Sequence, residues 1–290
     1  MDDSLSSWLA LREAADAAAR SVALTEAVAH VLKVRLKADT TTSRQEADTT
    51  TSIRSSTGPV RVLDLATGTG SNVRYLSPRL PMPQQWLVVD RDLALLGEVP
   101  KPTSNCEIET RCLDLGALDD PRICAGRHLV TASALLDLVS EPWIRRLAAQ
   151  CRASGSAVLF ALTYNGRSRC TPEEPEDDAI RDFMNRHQRR NDKGFGRAAG
   201  PDAVDCAARS FAEVGYHVRR EPSDWALRAD ATGLQRQLVR GWAQAAEGVA
   251  PEQSSMIRDW LARRLAHVAA HRSQIIVCHE DLAAWLPRQV

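Results

Sequence analysis

The chain has 290 residues, 44% of them hydrophobic, and its 37 Lys+Arg balance its 37 Asp+Glu to a formal net charge of zero. It is long and apolar enough for one large α/β domain with additions, while a neutral chain lacks the long-range attraction that draws proteins to nucleic acid or anionic lipid. It has no run of about 18 apolar residues to span a membrane, an acidic opening (Met1-Asp2-Asp3-Ser4) with no apolar stretch behind it, and seven cysteines without a Cys-x-x-Cys pair. These features point to reduced thiols in the cytoplasm and a small-molecule partner, with no nucleic acid, membrane or metal expected.

Residues 5–36 predict an N-terminal helix, with Leu5, Leu9, Val22, Val28 and Leu32 recurring near helical spacing. Residues 37–58 contain Ala-Asp-Thr-Thr-Thr-Ser twice, at 38–43 and 47–52, and predict a flexible Thr/Ser-rich loop. From residue 59 onward short apolar runs alternate with helical ones. Strands are expected at 60–65, 85–90, 106–112, 129–134, 156–163, 216–220 and 274–278. Helices are expected at 71–80, 142–153, 201–215, 230–247 and 252–271, with a short one from 93. The stretch 165–200 is polar and rich in Gly and Pro and predicts loops. Short apolar strands alternating with helices indicate a parallel, doubly wound sheet covered on both faces.

Val62-Leu63-Asp64-Leu65-Ala66-Thr67-Gly68-Thr69-Gly70 runs from a strand through a small-residue turn into a helix. Gly68 and Gly70 permit torsions and a close ligand approach that a side chain would block. A dinucleotide site favours a third glycine three residues on, and Val73 stands there. The acid at the head of the turn suits a ligand that carries a cation, such as S-adenosylmethionine (SAM), whose ammonium Asp64 can meet directly or through water. Asp90 ends the second strand, where a carboxylate can accept both hydroxyls of a ribose. Asp114 follows the third strand, placed to accept an adenine amino group while Leu115 packs on the ring.

This ordered set on three successive strand ends resembles the class I SAM-dependent methyltransferases, over about residues 58–165. The resemblance implies a seven-stranded, mostly parallel α/β sheet with its last strand antiparallel, here with an N-terminal helix and a helical insertion between strands six and seven. It also implies that the glycine turn cradles the methionine part, that Asp90 holds ribose and that Asp114 touches adenine. Ala66, Thr67, Arg91, Leu115 and Ser133 complete the expected cofactor set with Asp64, Gly68 and Gly70. Ala66 stands where the family often has a first glycine.

The acceptor would face the ends of strands four and five. There Asp137 is a candidate general base, and Tyr164 and Asn165 could orient an acceptor. His187 and Lys193 are the candidates in the cation-rich segment 185–196, which could close over the sheet as a loop. Trp8, Arg12, Asp16 and Arg20 share one face of the N-terminal helix. His267 and His271 are spaced i, i+4, but Val268 stands where a zinc helix needs Glu. The expected organisation is therefore a helical segment 1–36, a loop 37–58 and a methyltransferase domain 59–290, in which 165–200 and 224–272 are candidates for a substrate cap. The expected activity is methyl transfer from SAM to a small organic acceptor, leaving S-adenosylhomocysteine. The alternatives are a non-catalytic SAM-binding protein and an NAD(P)-dependent oxidoreductase.

Overall fold

The computed structural model describes residues 5–45, 58–116, 118, 120, 122–190, 192 and 194–287, without the side chains of 38–45. Two helices open the chain, α1 (Leu5–Ala19) and α2 (Val22–Gln45). The single helix expected over 5–36 is broken at Arg20 and Ser21. The Ser21 hydroxyl accepts the Leu24 N–H at 3.2 Å, and the Ser21 N–H donates to Asp281 Oδ2 at 2.8 Å, which starts a new helix in a new direction. Helix α2 also runs on through the first Ala-Asp-Thr-Thr-Thr-Ser copy, so the loop expected from 37 does not begin there. The second copy lies outside the described residues.

The elements that follow are β1 (Val60–Leu65), α3 (Ser71–Leu76), β2 (Gln84–Asp90), α4 (Leu93–Leu96), β3 (Cys106–Cys112), β4 (Leu129–Ser133), α5 (Glu141–Ser154), β5 (Ala157–Thr171), α6 (Asp177–Arg190), α7 (Ala203–Glu213), β6 (His217–Pro222), β7 (Trp225–Leu227), α8 (Thr232–Val249), α9 (Ser254–Ala269) and β8 (Gln274–Trp285). The strands form one sheet in the order β3-β2-β1-β4-β5-β8-β6, with the short β7 added on β8. Strands β1 to β5 are mutually parallel, and β8, last in the chain, runs antiparallel to both β5 and β6. This is the seven-strand architecture expected from the sequence, with β7 as an addition.

Side chains alternate across the strands, so each face of the sheet builds its own core. On one face Val60, Val62, Trp86 and Leu159 meet Leu24, Val28 and Leu32 of α2 and Val73 and Leu76 of α3. On the other, Leu63, Leu65, Val130 and Phe160 meet α5 and α7 through Trp143, Leu147 and Phe211. Burying each such side chain contributes about 1.5–3 kcal/mol.

The region expected as loops at 165–200 differs. Strand β5 continues to Thr171 and pairs with the first half of β8, through Arg169↔Ile276 and Cys170↔Ile275. After it comes α6, whose Ile180, Phe183 and Met184 pack with Trp225, Trp242 and Trp260 in a third core. Ion pairs to α9 fix the intervening turn and the start of α6, among them Arg264 with Asp177 and Arg263 Nε with Glu174 at 2.6 Å. Helices α6, α8 and α9 thus form a cap built on the extended β5–β8 ribbon.

Candidate functional site

The carboxyl ends of β1 to β4 open into a cavity of about 290 Å³, roofed by α1. Asp64 is fully buried at the end of β1. Its Oδ2 accepts from Thr67 Oγ1 at 2.6 Å and its Oδ1 from Asn72 Nδ2 at 2.5 Å, so the acid ties the turn to the start of α3. Burial pushes its carboxyl up to about 6, against the lowering effect of those hydrogen bonds and of the Arg20 charge. The turn between is left-handed at Ala66 (φ 51°) and Gly68 (φ 56°), and the Thr67 N–H donates to Val89 O at 3.0 Å. A Cβ on Gly68 would stand 3.1 Å from Leu9 Cδ1, because α1 is pressed onto the turn. Gly70 is not among the lining residues; it is left-handed, and a Cβ there would meet Pro100 Cδ at 2.6 Å.

Asp90 Oδ2 accepts the Gly68 N–H at 2.9 Å and Oδ1 the Asp92 N–H at 3.0 Å, which orients the carboxylate at the cavity wall. Asp114 Oδ1 accepts the Gly116 N–H at 2.8 Å and also lines the cavity, beside Leu113 and Leu115. Of the expected cofactor set, Asp64, Ala66, Thr67, Gly68, Asp90, Arg91, Asp114, Leu115 and Ser133 therefore meet around one space.

Residues outside the expected cofactor set complete the wall. Leu5 and Leu9 come from α1, Asn72 from α3, and Phe195 from the loop after α6, where its ring stands edge-on to Trp143 at 5.9 Å. Arg12 and Asp16 also line the cavity. Arg12 Nε donates to Asp16 Oδ2 at 2.9 Å, its guanidinium lies 5.0 Å from the Trp225 ring centre, and Trp225 Nε1 donates to Asp16 Oδ1 at 3.0 Å. The roof is thereby joined to β7 at the foot of the cap. A bidentate pair from Arg74 to Glu13, at 2.6 and 2.7 Å, holds its outer side.

The acceptor-side candidates sit elsewhere. Asp137 is buried on the turn after β4 and accepts from Gln188 Nε2 at 3.3 Å, while its neighbour Leu138 lines the cavity. Tyr164 is buried on β5 with its ring 6.1 Å from His279, and burial raises its phenol above the usual range. His187 belongs to helix α6 and not to a loop, with Nδ1 facing Gly248. The Asn165 amide, oriented to satisfy both its ends, donates to Cys278 O at 3.2 Å and accepts from Arg167 Nη2 at 3.0 Å. None of these four is among the lining residues, and Lys193 lies outside the described residues. His267 and His271 face different partners, Glu174 Oε1 at 2.7 Å and Ala229 O at 3.3 Å. Among the described residues no helix is long and apolar enough to cross a membrane.

The sheet order, the antiparallel last strand and the turn at Asp64 are together on one scaffold. The fold is a doubly wound, Rossmann-like α/β sheet with an antiparallel last strand, as expected. No family model matches the sequence, and no curated protein does. Among solved structures, the chain is similar to the cyclopropane synthase MmaA2 of Mycobacterium tuberculosis, with 9% identity, 78% of each chain covered and a TM-score of 0.43. It is similar to the YcgJ protein of Bacillus subtilis, with 14% identity, 89% of this chain and 99% of that one covered and a TM-score of 0.41. It is also similar to the Haemonchus contortus phosphoethanolamine N-methyltransferase 2 in complex with phosphomonomethylethanolamine and S-adenosylhomocysteine, with 11% identity, 87% and 53% covered and a TM-score of 0.38. At these identities the functional reading rests on the cavity's own residues.

Proposed function

We propose that the protein binds SAM in the cavity above β1 to β4 and transfers its methyl group to a small organic acceptor. The observation that carries this reading is the convergence of the Asp64 turn, Asp90 and Asp114 on one roofed space. The donor set fits the molecule in order. The left-handed turn and the α3 end suit the amino-acid part, the Asp90 carboxylate suits ribose hydroxyls, and Asp114 with Leu113 and Leu115 suits a purine. Val73 in place of a third glycine, and an acid at the head of the turn, disfavour a pyrophosphate.

SAM would supply a methyl group on a sulfonium, which an acceptor displaces in line. The chain's part is to align the two and keep water away, with Leu5, Leu9 and Phe195 closing the space. The acceptor is proposed to be small because the neutral chain offers no field for a polymer. A reducing, cytoplasmic setting belongs to the proposal and is supported by seven free cysteines.

A second reading, a SAM-binding protein without turnover, is favoured by one observation: Asp137, Tyr164, His187 and Asn165 are not among the cavity's lining residues. Calorimetry with SAM, S-adenosylhomocysteine and NAD on the unaltered protein and Asp90→Ala tests the binding. Micromolar SAM binding weakened at least tenfold in the variant is expected, and NAD binding in its place would overturn the reading. Methyl release from labelled SAM across an acceptor panel then separates the enzyme from the non-catalytic protein.

A further inference from the structure

A second cavity, of about 190 Å³, lies between α1 and α3 and shares Asp16, Ser71 and Ser133 with the first. Five arginines border the two spaces; Arg91 is exposed, and three of the other four are engaged. Arg12 forms a two-pronged pair with Asp16, and Arg74 is taken by Glu13 and Thr69 O. Arg79 donates to Tyr75 O and lies 4.0 Å from the Tyr75 ring centre.

Arg20 is different. It sits at the break between α1 and α2, is 6% exposed and lines the second cavity. Among the described residues its guanidinium makes one hydrogen bond, Nη2 to Asn72 Oδ1 at 2.5 Å, and stacks 4.3 Å from the Tyr75 ring centre. A guanidinium has five N–H donors, and burying them unspent is costly. Desolvation already works against its charge, offset in part by Asp281, Tyr75, Asp64 and Asp16. A planar cation with a free donor edge on a cavity wall fits a carboxylate, which it can hold with two parallel bonds.

We infer that Arg20 is a carboxylate anchor at the junction of the two cavities, and that it takes the carboxylate of the cofactor's amino-acid part. The direction of the site supports the second step. Asp114 and Leu115 mark one end and Asp90 the middle, which leaves the α3 end, where Asn72 hands Arg20 to the cavity wall, for the amino acid. This step rests on the SAM reading. The chemistry alone would equally suit a carboxylate on the acceptor, so the test separates the two sources.

The test measures binding of S-adenosylhomocysteine and of methylthioadenosine, which keeps the nucleoside and thioether but has no amino acid, to the unaltered protein, Arg20→Lys and Arg20→Gln. The expected result is a loss of about 10- to 100-fold for S-adenosylhomocysteine in Arg20→Gln, a smaller loss in Arg20→Lys, and unchanged methylthioadenosine binding, which also shows that the variants fold. Equal losses for both ligands, or no loss for either, would overturn the anchor alone. Intact S-adenosylhomocysteine binding with a loss only of acetate binding to the loaded protein would move the anchor to the acceptor and overturn the assignment to the cofactor. If the unaltered protein binds neither nucleoside, both the anchor and the SAM reading fall.

Discussion

Asp64→Asn isolates the buried acid that organises the turn. Asp64 is fully buried, and its carboxyl is pushed from 3.8 to about 6, chiefly by desolvation. The folded protein therefore keeps this proton up to about pH 6, while the unfolded chain gives it up near pH 4. Between those limits the native state binds more protons, so this group's contribution to stability is full below pH 4 and is lost as pH rises through 6. The shift of roughly two units corresponds to about 3 kcal/mol. Asparagine keeps the shape and does not titrate, and its lost acceptor adds an offset that is independent of pH. Urea unfolding of both proteins from pH 4 to 7.5 reads the effect. The stability of the unaltered protein minus that of Asp64→Asn is expected to fall by about 3 kcal/mol between pH 4 and 7 and then level off. A difference that stays flat from pH 4 to 7, or that rises, would refute the reasoning; it would mean that Arg20 and the hydrogen bonds from Thr67 and Asn72 outweigh desolvation.

Ala66 holds a left-handed φ of 51° without being glycine, which costs about 1–2 kcal/mol; glycine regains part of that against its larger unfolded-state entropy. Ala66→Gly is thus expected to raise stability by about 0.5–1 kcal/mol in a thermal melt without weakening SAM binding, and a lower melting temperature would contradict it. Arg264 is fully buried and pairs with Asp177, so Arg264→Met is expected to cost about 3–5 kcal/mol in urea unfolding by leaving that acid unpaired. Adding Asp177→Asn should recover part of the loss, and strictly additive losses would show that the pair is not coupled.

The sheet and most of the residues expected at the cavity were legible because strand pattern and cavity position share a physical cause. Parallel strands covered on both faces must be apolar along their length, and the residues at their carboxyl ends are the ones a ligand meets. Asp64, Asp90 and Asp114 could be read as an ordered set on three successive strand ends. Helices α8 and α9 of the cap were expected where they lie, but the second half of β5 and α6 were not. The second half of β5 carries Gly166, Arg167 and Arg169, which look like a turn, yet its partner β8 supplies the hydrogen bonds that its composition did not advertise. In α6 the apolar positions Ile180, Phe183 and Met184 do follow helical spacing, but seven charged residues and a His hide the period. The Arg20–Asn72–Asp64 chain joins residues 44 and 52 positions apart, and only the folded turn brings them together. Asn72 carried one local signal, its place two residues after Gly70 at the start of a helix.

The pH response of the whole protein follows from setting Asp64 against a second buried group. His279 is 6% exposed on β8, with its ring 5.3 Å from that of Trp225 and 6.1 Å from that of Tyr164. Burial, helped by the Arg12 charge, lowers its imidazole to about 3. The native state therefore refuses a proton that the unfolded chain accepts near pH 6.5, and this contribution to stability is lost as pH falls from 6.5 toward 3. Over pH 4 to 6 the two groups act with opposite sign and comparable slope, so the unaltered protein should show a shallower dependence than either variant. His279→Phe, which suits the aromatic surroundings, should be less stable at pH 6 than at pH 4, by about 2–3 kcal/mol from Asp64 alone. Asp64→Asn should show the reverse. Parallel profiles for the two variants would mean that one of the groups is solvated in the native state.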